Sequence, residues 1–141
     1  MRKATLAILL GTLGVAACEG SNNVLITTPL PTFVLRTVNG SALPAVVFDS
    51  VGRRLKLEAL SGTFALNTDN TFASVTQLRQ TLAGVVTDRT STCTGSFTTA
   101  GTTVTFVGAQ FTADCASTFT GVLVDNTLTT RIRGAVALYS R

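Results

Sequence analysis

Three cysteines stand at positions 18, 93 and 115 of a 141-residue chain that contains no histidine. Without histidine the commonest general base is missing, and with it the Ser-His and Cys-His nucleophile pairs and the most frequent zinc ligand. No Gly-x-x-x-x-Gly-Lys phosphate loop is present, and the glycines are scattered at turn positions. Seven carboxylates complete the inventory. Asp69, Asp88 and Asp125 fall in or beside expected turns, where side-chain bonding to nearby backbone accounts for them. These residues point away from an enzyme, and they call for no cofactor and no metal. What chemistry remains belongs to the thiols.

Cys18 sits at the end of an export signal. Arg2 and Lys3 supply the positive start, and residues 4–14 form an apolar run (Leu6, Ala7, Ile8, Leu9, Leu10, Leu13). That run falls short of the roughly 20 residues a spanning helix needs. Val15-Ala16-Ala17-Cys18 closes it with the small side chains that a signal peptidase accepts. These four residues also resemble the bacterial lipobox: an aliphatic residue, two small ones and a cysteine. The resemblance implies that residues 1–17 are removed and that Cys18, as the first residue of the mature chain, carries a thioether diacylglycerol and an acylated amine. Two or three acyl chains anchor a protein stably where one does not. Glu19 follows the cysteine. Aspartate there retains lipoproteins in the inner membrane of enteric bacteria, so by analogy the expected residence is the outer membrane, facing the periplasm or the cell surface.

With Cys18 lipidated, Cys93 and Cys115 remain as a pair in an oxidising compartment, and a disulfide is the natural reading. Loss of the leader also changes the charge. The whole chain carries a formal +4; without Arg2 and Lys3, nine basic groups face seven acidic ones, a net of +2. That is no argument for nucleic acid. The basic run Arg53-Arg54-x-Lys56 has Glu58 beside it and reads as a solvated strand face.

The elements that must place these residues are strands. Residues 19–32 mix Gly, Ser, Asn and Thr with Pro29 and Pro31, and read with Cys18 as a tether (18–32). From Phe33 to the end, about 110 residues suit one domain with a single core. Thr, Val, Phe and Leu dominate there, and no long stretch has a period of 3.6. Turn signals recur at Asn39-Gly40, 50–52, Asp69-Asn70, Ala100-Gly101, Asp125-Asn126 and Gly134. Between them the alternation is readable. Leu55, Leu57 and Ala59 oppose Arg54, Lys56 and Glu58; Leu128, Thr130 and Ile132 oppose Thr129, Arg131 and Arg133; Val104 and Phe106 share a face, as do Phe119, Gly121 and Leu123.

The expected strands are about 33–38, 44–49, 53–67 with a bend at Gly62, 71–81, 90–99, 102–107, 116–124, 127–133 and 135–140. Eight or nine strands joined by short hairpins are most economically an antiparallel up-and-down β-barrel (33–141), since closure removes exposed edges. A β-sandwich is the alternative, but its Greek-key crossings want longer connections. In a meander Cys93 and Cys115 lie two strand spacings apart, almost 10 Å and beyond disulfide reach. Both fall near the far end of the strand between them, where residues 108–114 can swing inward, so the bridge is expected to staple one end of the barrel.

The segments FVLRTVNGSALP (33–44), SFTTAGTTVTF, STFTGVLVDNTLTTRI and ALYSR resemble small bacterial lipoproteins with a lipocalin-like barrel. The resemblance implies that fold for most of residues 33–141. Two functions follow as expectations. One is a module holding an apolar or amphipathic small molecule inside the barrel, which requires a cavity of about 300 Å³ or more, open at one end. The other is a structural or interaction protein of the cell envelope, with a filled interior and an exposed patch, its protein partners unspecified. The aromatic residues, Phe33, Phe48, Phe64, Phe72, Phe97, Phe106, Phe111, Phe119 and Tyr139, recur about once per strand and suit a core. Small residues expected on the same face (Ala59, Ser74, Thr76, Gly121, Ala137) leave room beside them.

Overall fold

The computed structural model describes residues 32–110, 112 and 114–141. The expected leader, Cys18 and the tether as far as residue 31 lie outside the described residues. Ten strands follow: β1 (Thr32–Val38), β2 (Ser41–Ala42), β3 (Ala45–Ser50), β4 (Leu55–Leu66), β5 (Thr71–Leu82), β6 (Val85–Ala100), β7 (Thr103–Gly108), β8 (Thr118–Val124), β9 (Thr127–Ile132) and β10 (Ala135–Ser140).

From β4 to β10 each strand pairs antiparallel with the next. The ring is closed by β1, which pairs with β10 on one side (Val34↔Ser140, Val38↔Ala137) and with the end of β4 on the other (Thr32↔Ala65, Phe33↔Phe64). The result is a closed eight-stranded antiparallel barrel of β1 and β4–β10, and the two-sheet alternative is not what forms. Where β1 no longer reaches β4, β3 takes its place (Ala45↔Ala59, Ser50↔Leu55), while β2 folds back on β1.

Several hairpins turn on the same backbone device. Asn39-Gly40, Ala83-Gly84 and Arg133-Gly134 each place two successive residues at positive φ (51° and 79°, 49° and 88°, 49° and 89°), matching the right-handed twist of the strands they join. Of these, Ala83-Gly84 is not signalled by residue type at its first position. It starts β6 at Val85, five residues before the expected 90. The first residues of β6, Val85 to Asp88, are all exposed, so no alternation betrays the strand. Asp88 therefore lies on β6, not at a turn, and pairs with Arg79 on β5 (2.8 Å). Arg54 is likewise not on a strand face: at φ 49° it ends a short 3-10 turn (Val51–Arg53) before β4 begins. Lys56 and Glu58 do form the expected outer pair, at 2.8 Å.

The irregularity in β4 is a bulge between Ala59 and Ser61, one to three residues before the bend expected at Gly62. It switches the inward set from Leu57 and Ala59 to Gly62, Phe64 and Leu66, as one extra residue in a ladder must. Gly62 is needed there for a second reason, because a Cβ would come within 3.3 Å of Leu35 on the closing strand.

The turns divide into two ends. Turns 67–70, 101–102 and 125–126, together with Thr32 and Arg141, lie at one end. Turns 39–40, 51–54, 83–84 and 133–134 and the loop 109–117 lie at the other. An aromatic cluster fills the barrel toward the first end. The Phe64 ring stacks on Phe72 (centroids 5.5 Å) and meets Phe106 (5.1 Å) and Tyr139 (5.7 Å) edge-on, while Phe106 stacks on Phe119 (4.8 Å). Such pairs add to the burial of the rings themselves. The Arg141 guanidinium covers the Phe33 ring at 4.6 Å. Phe48 departs from the expected core set: it is exposed on β3.

Candidate functional site

Toward the second end the interior is not filled. A cavity of about 300 Å³ lies above the aromatic cluster. Phe64, Phe119 and Tyr139 border its depth, Leu78 and Ile132 its apolar walls, and Ser74, Thr76, Ser91 and Thr130 supply hydroxyls. The period-two rule of a strand explains this lining. On β9, Leu128, Thr130 and Ile132 point inward, and on β6 the odd positions Arg89, Ser91, Cys93 and Phe97 are less exposed than their neighbours. Of the small residues expected on this face, Ser74 and Thr76 border the cavity. Ala59 and Ala137 are fully buried, and the space beside Gly121 is taken by Leu128 and Phe106, each 3.2 Å from where a Cβ would stand.

Thr130 and Tyr139 are both buried and both border this space. Thr130 donates its hydroxyl to the Thr120 carbonyl at 3.3 Å. Burial pushes the Tyr139 phenol up to about 12, an effect the Thr76 side chain offsets only in part. Tyr139 therefore stays protonated at any physiological pH and keeps an O–H donor inside an otherwise apolar floor.

The mouth is built from the loop 109–117, and the disulfide holds that loop in place. β7 ends at Gly108 opposite Gly95, two residues before the level of Cys93 on β6. The chain then turns inward: Ala109 N–H donates to the Thr94 carbonyl (2.8 Å), Gly108 N–H donates to Ser117 (3.0 Å), and Thr112 bridges to Cys115. Cys93 and Cys115 are bonded, with Cα atoms 5.1 Å apart. The pair staples one end of the barrel through an inward swing of this loop, as the sequence implied. Cys18, the other cysteine, lies outside the described residues.

Beside Cys115, the Asp114 carboxylate is gripped from two sides. Arg89 of β6 donates to it through both terminal nitrogens, the Nη2–Oδ1 distance being 3.2 Å. Arg133, from the turn between β9 and β10, donates through Nε to Oδ1 at 2.5 Å. Desolvation alone would raise the Asp114 pKa, but the hydrogen bonds from Arg89 and Arg133 outweigh it and hold the carboxyl below its ordinary value. Arg133 was expected on the solvent face of a strand extending to 133. The strand stops at Ile132, and the positive φ of Arg133 aims its side chain over the mouth.

Sequence reading did not find Arg89, Asp114 and Arg133 as a group. Arg89 was within reach, since it shares the parity of Cys93. The partner on a 25-residue-distant loop was not. Among the described residues no cluster of three or more Cys, Asp or Glu side chains could hold a metal ion.

The closed antiparallel meander with its chamber is consistent with the lipocalin-like barrel that the sequence implied. Searches against protein-family models, characterised proteins and solved structures give no match to this chain.

Proposed function

We propose that this protein is a lipid-anchored module of the bacterial cell envelope that holds a small amphipathic molecule inside its barrel. The cavity carries this reading. At about 300 Å³ it reaches the lower bound of known ligand sites, and its lining mixes apolar side chains (Phe64, Leu78, Phe119, Ile132) with hydroxyls and charged groups, which suits an amphipathic occupant. The anchor rests on the sequence around Cys18 and on the compartment that the Cys93–Cys115 pair requires.

The orientation suits the reading. The described chain enters at Thr32, beside Ala65 and the C-terminus, at the end opposite the Asp114 mouth. A tether rising from a membrane thus delivers the barrel with its opening away from the attachment point. The rival reading, an envelope component working through its outer surface, wants a filled interior, and the chamber counts against it.

Native mass spectrometry of protein extracted from its host membranes tests the proposal. A small amphiphile released on unfolding, and absent after Thr130→Phe fills the chamber, is the expected result. Repeated recovery of an empty barrel that also takes up no offered amphiphile would overturn it.

A further inference from the structure

We infer that the ligand's polar end is a carboxylate, received between Arg89 and Arg133 at the mouth, and that Asp114 occupies its place when the barrel is empty. This deepens the ligand-binding reading above and rests on it.

Three observations carry the inference. Two guanidiniums converge on a single carboxylate, so this group of three holds one more positive than negative charge before any ligand arrives. The donors also outnumber the acceptors. Arg89 Nε is buried with no hydrogen-bond partner, and Arg133 engages Asp114 through Nε alone among the described residues, leaving its terminal nitrogens for another acceptor. A buried donor left unpaired costs free energy, so Asp114 alone does not satisfy the donor capacity gathered around it. The third observation is position. Asp114 and Arg133 border the same cavity whose depth is formed by Phe64, Phe119 and Tyr139, so a molecule reaching from one to the other must be polar at one end and apolar at the other.

Size narrows the class further. A cavity of about 300 Å³ equals the volume of about ten water molecules, which suits a monocarboxylate with an alkyl chain of about eight carbons. A cationic head group is disfavoured, because the one carboxylate at the mouth already accepts from both arginines. Asp114 then acts as an internal competitor: its oxygens take the bidentate place that a ligand carboxylate wants. The Cys93–Cys115 bond keeps the loop attached when Asp114 lets go.

The test uses the full-length chain in phosphatidylcholine vesicles, with octanoate, 1-octanol and octylamine as probes. Tyr139 is the only tyrosine and the chain has no tryptophan, so its fluorescence reports occupancy of the cavity directly. In the wild type, octanoate should bind at least about tenfold more tightly than octanol, the worth of one charge-assisted hydrogen bond, and octylamine more weakly than either. Arg133→Gln should bring the octanoate-to-octanol ratio close to one. Arg133→Lys, which keeps charge but loses the planar fork, should restore it only in part, and Asp114→Asn should raise it above wild type. Equal binding of octanol and octanoate, or an unchanged ratio in Arg133→Gln, would overturn the carboxylate assignment while leaving a ligand-binding barrel intact. No response of Tyr139 to any of the three probes would instead remove the ligand-binding reading itself.

Discussion

A methyl group at residue 95 would lie 2.0 Å from the Val107 carbonyl oxygen and 2.8 Å from the Phe72 ring. Backbone cannot yield at the first contact and a stacked ring yields little at the second, so the sheet must open locally to admit it. Gly95→Ala should therefore destabilise the barrel by about 3 kcal/mol, seen as a lower urea midpoint with little change in slope. Asp114 gives a second test at this scale. Its folded pKa is depressed, so its two ion pairs stabilise the barrel above the ordinary aspartate value of about 3.9 and lose that effect as pH falls through the lower folded value. The difference in melting temperature between wild type and Asp114→Asn should be clear at pH 6 and should shrink below about pH 4. A difference that grows on acidification would contradict the sign.

Among the elements, legibility followed burial on one face. β9 could be read residue by residue, because Leu128, Thr130 and Ile132 face the interior while Thr129 and Arg131 face water. The same alternation made β7 and β8 readable. The start of β6 was not readable: Val85, Val86, Thr87 and Asp88 are all exposed and only β5 flanks them, so no core side selects a pattern. Which of the small inward residues border open space was not readable for a related reason. Inward Ser74 and Thr76 leave room, while inward Gly121 does not, and the difference lies in which neighbours lean over them. The loop 109–117 is the element whose placement depends most on one bond. With a sequence separation of 22 residues, removing the bridge by Cys93→Ala with Cys115→Ala should cost about 3 kcal/mol on the chain-entropy account. Thermal unfolding with and without reductant should show the same loss for wild type and none for the double variant.

For the molecule as a whole, closure by β1 fixes the polarity of the barrel. Phe33 reaches Phe64 at the end where the chain enters, and the Asp114 mouth opens at the other. An anchor at Cys18 would leave that mouth facing away from its membrane. Cys18→Ser should release the protein into the soluble envelope fraction, and retention in the membrane would argue against lipid attachment there. Val51, Leu82, Val85 and Val86 are exposed at the same end as the mouth; Ala83 N–H donates to the Arg54 carbonyl (2.9 Å), which joins the turns beside them. A molecule that merely adhered to the protein would be found on this rim. The decisive measurement is a methyl-labelled NMR titration of residues 32–141 with octanoate. The account predicts shifts concentrated at Leu78 and Ile132, whose side chains line the cavity, with little change at Val85 and Val86. Shifts confined to Val51, Val85 and Val86, with Leu78 and Ile132 unmoved, would contradict it.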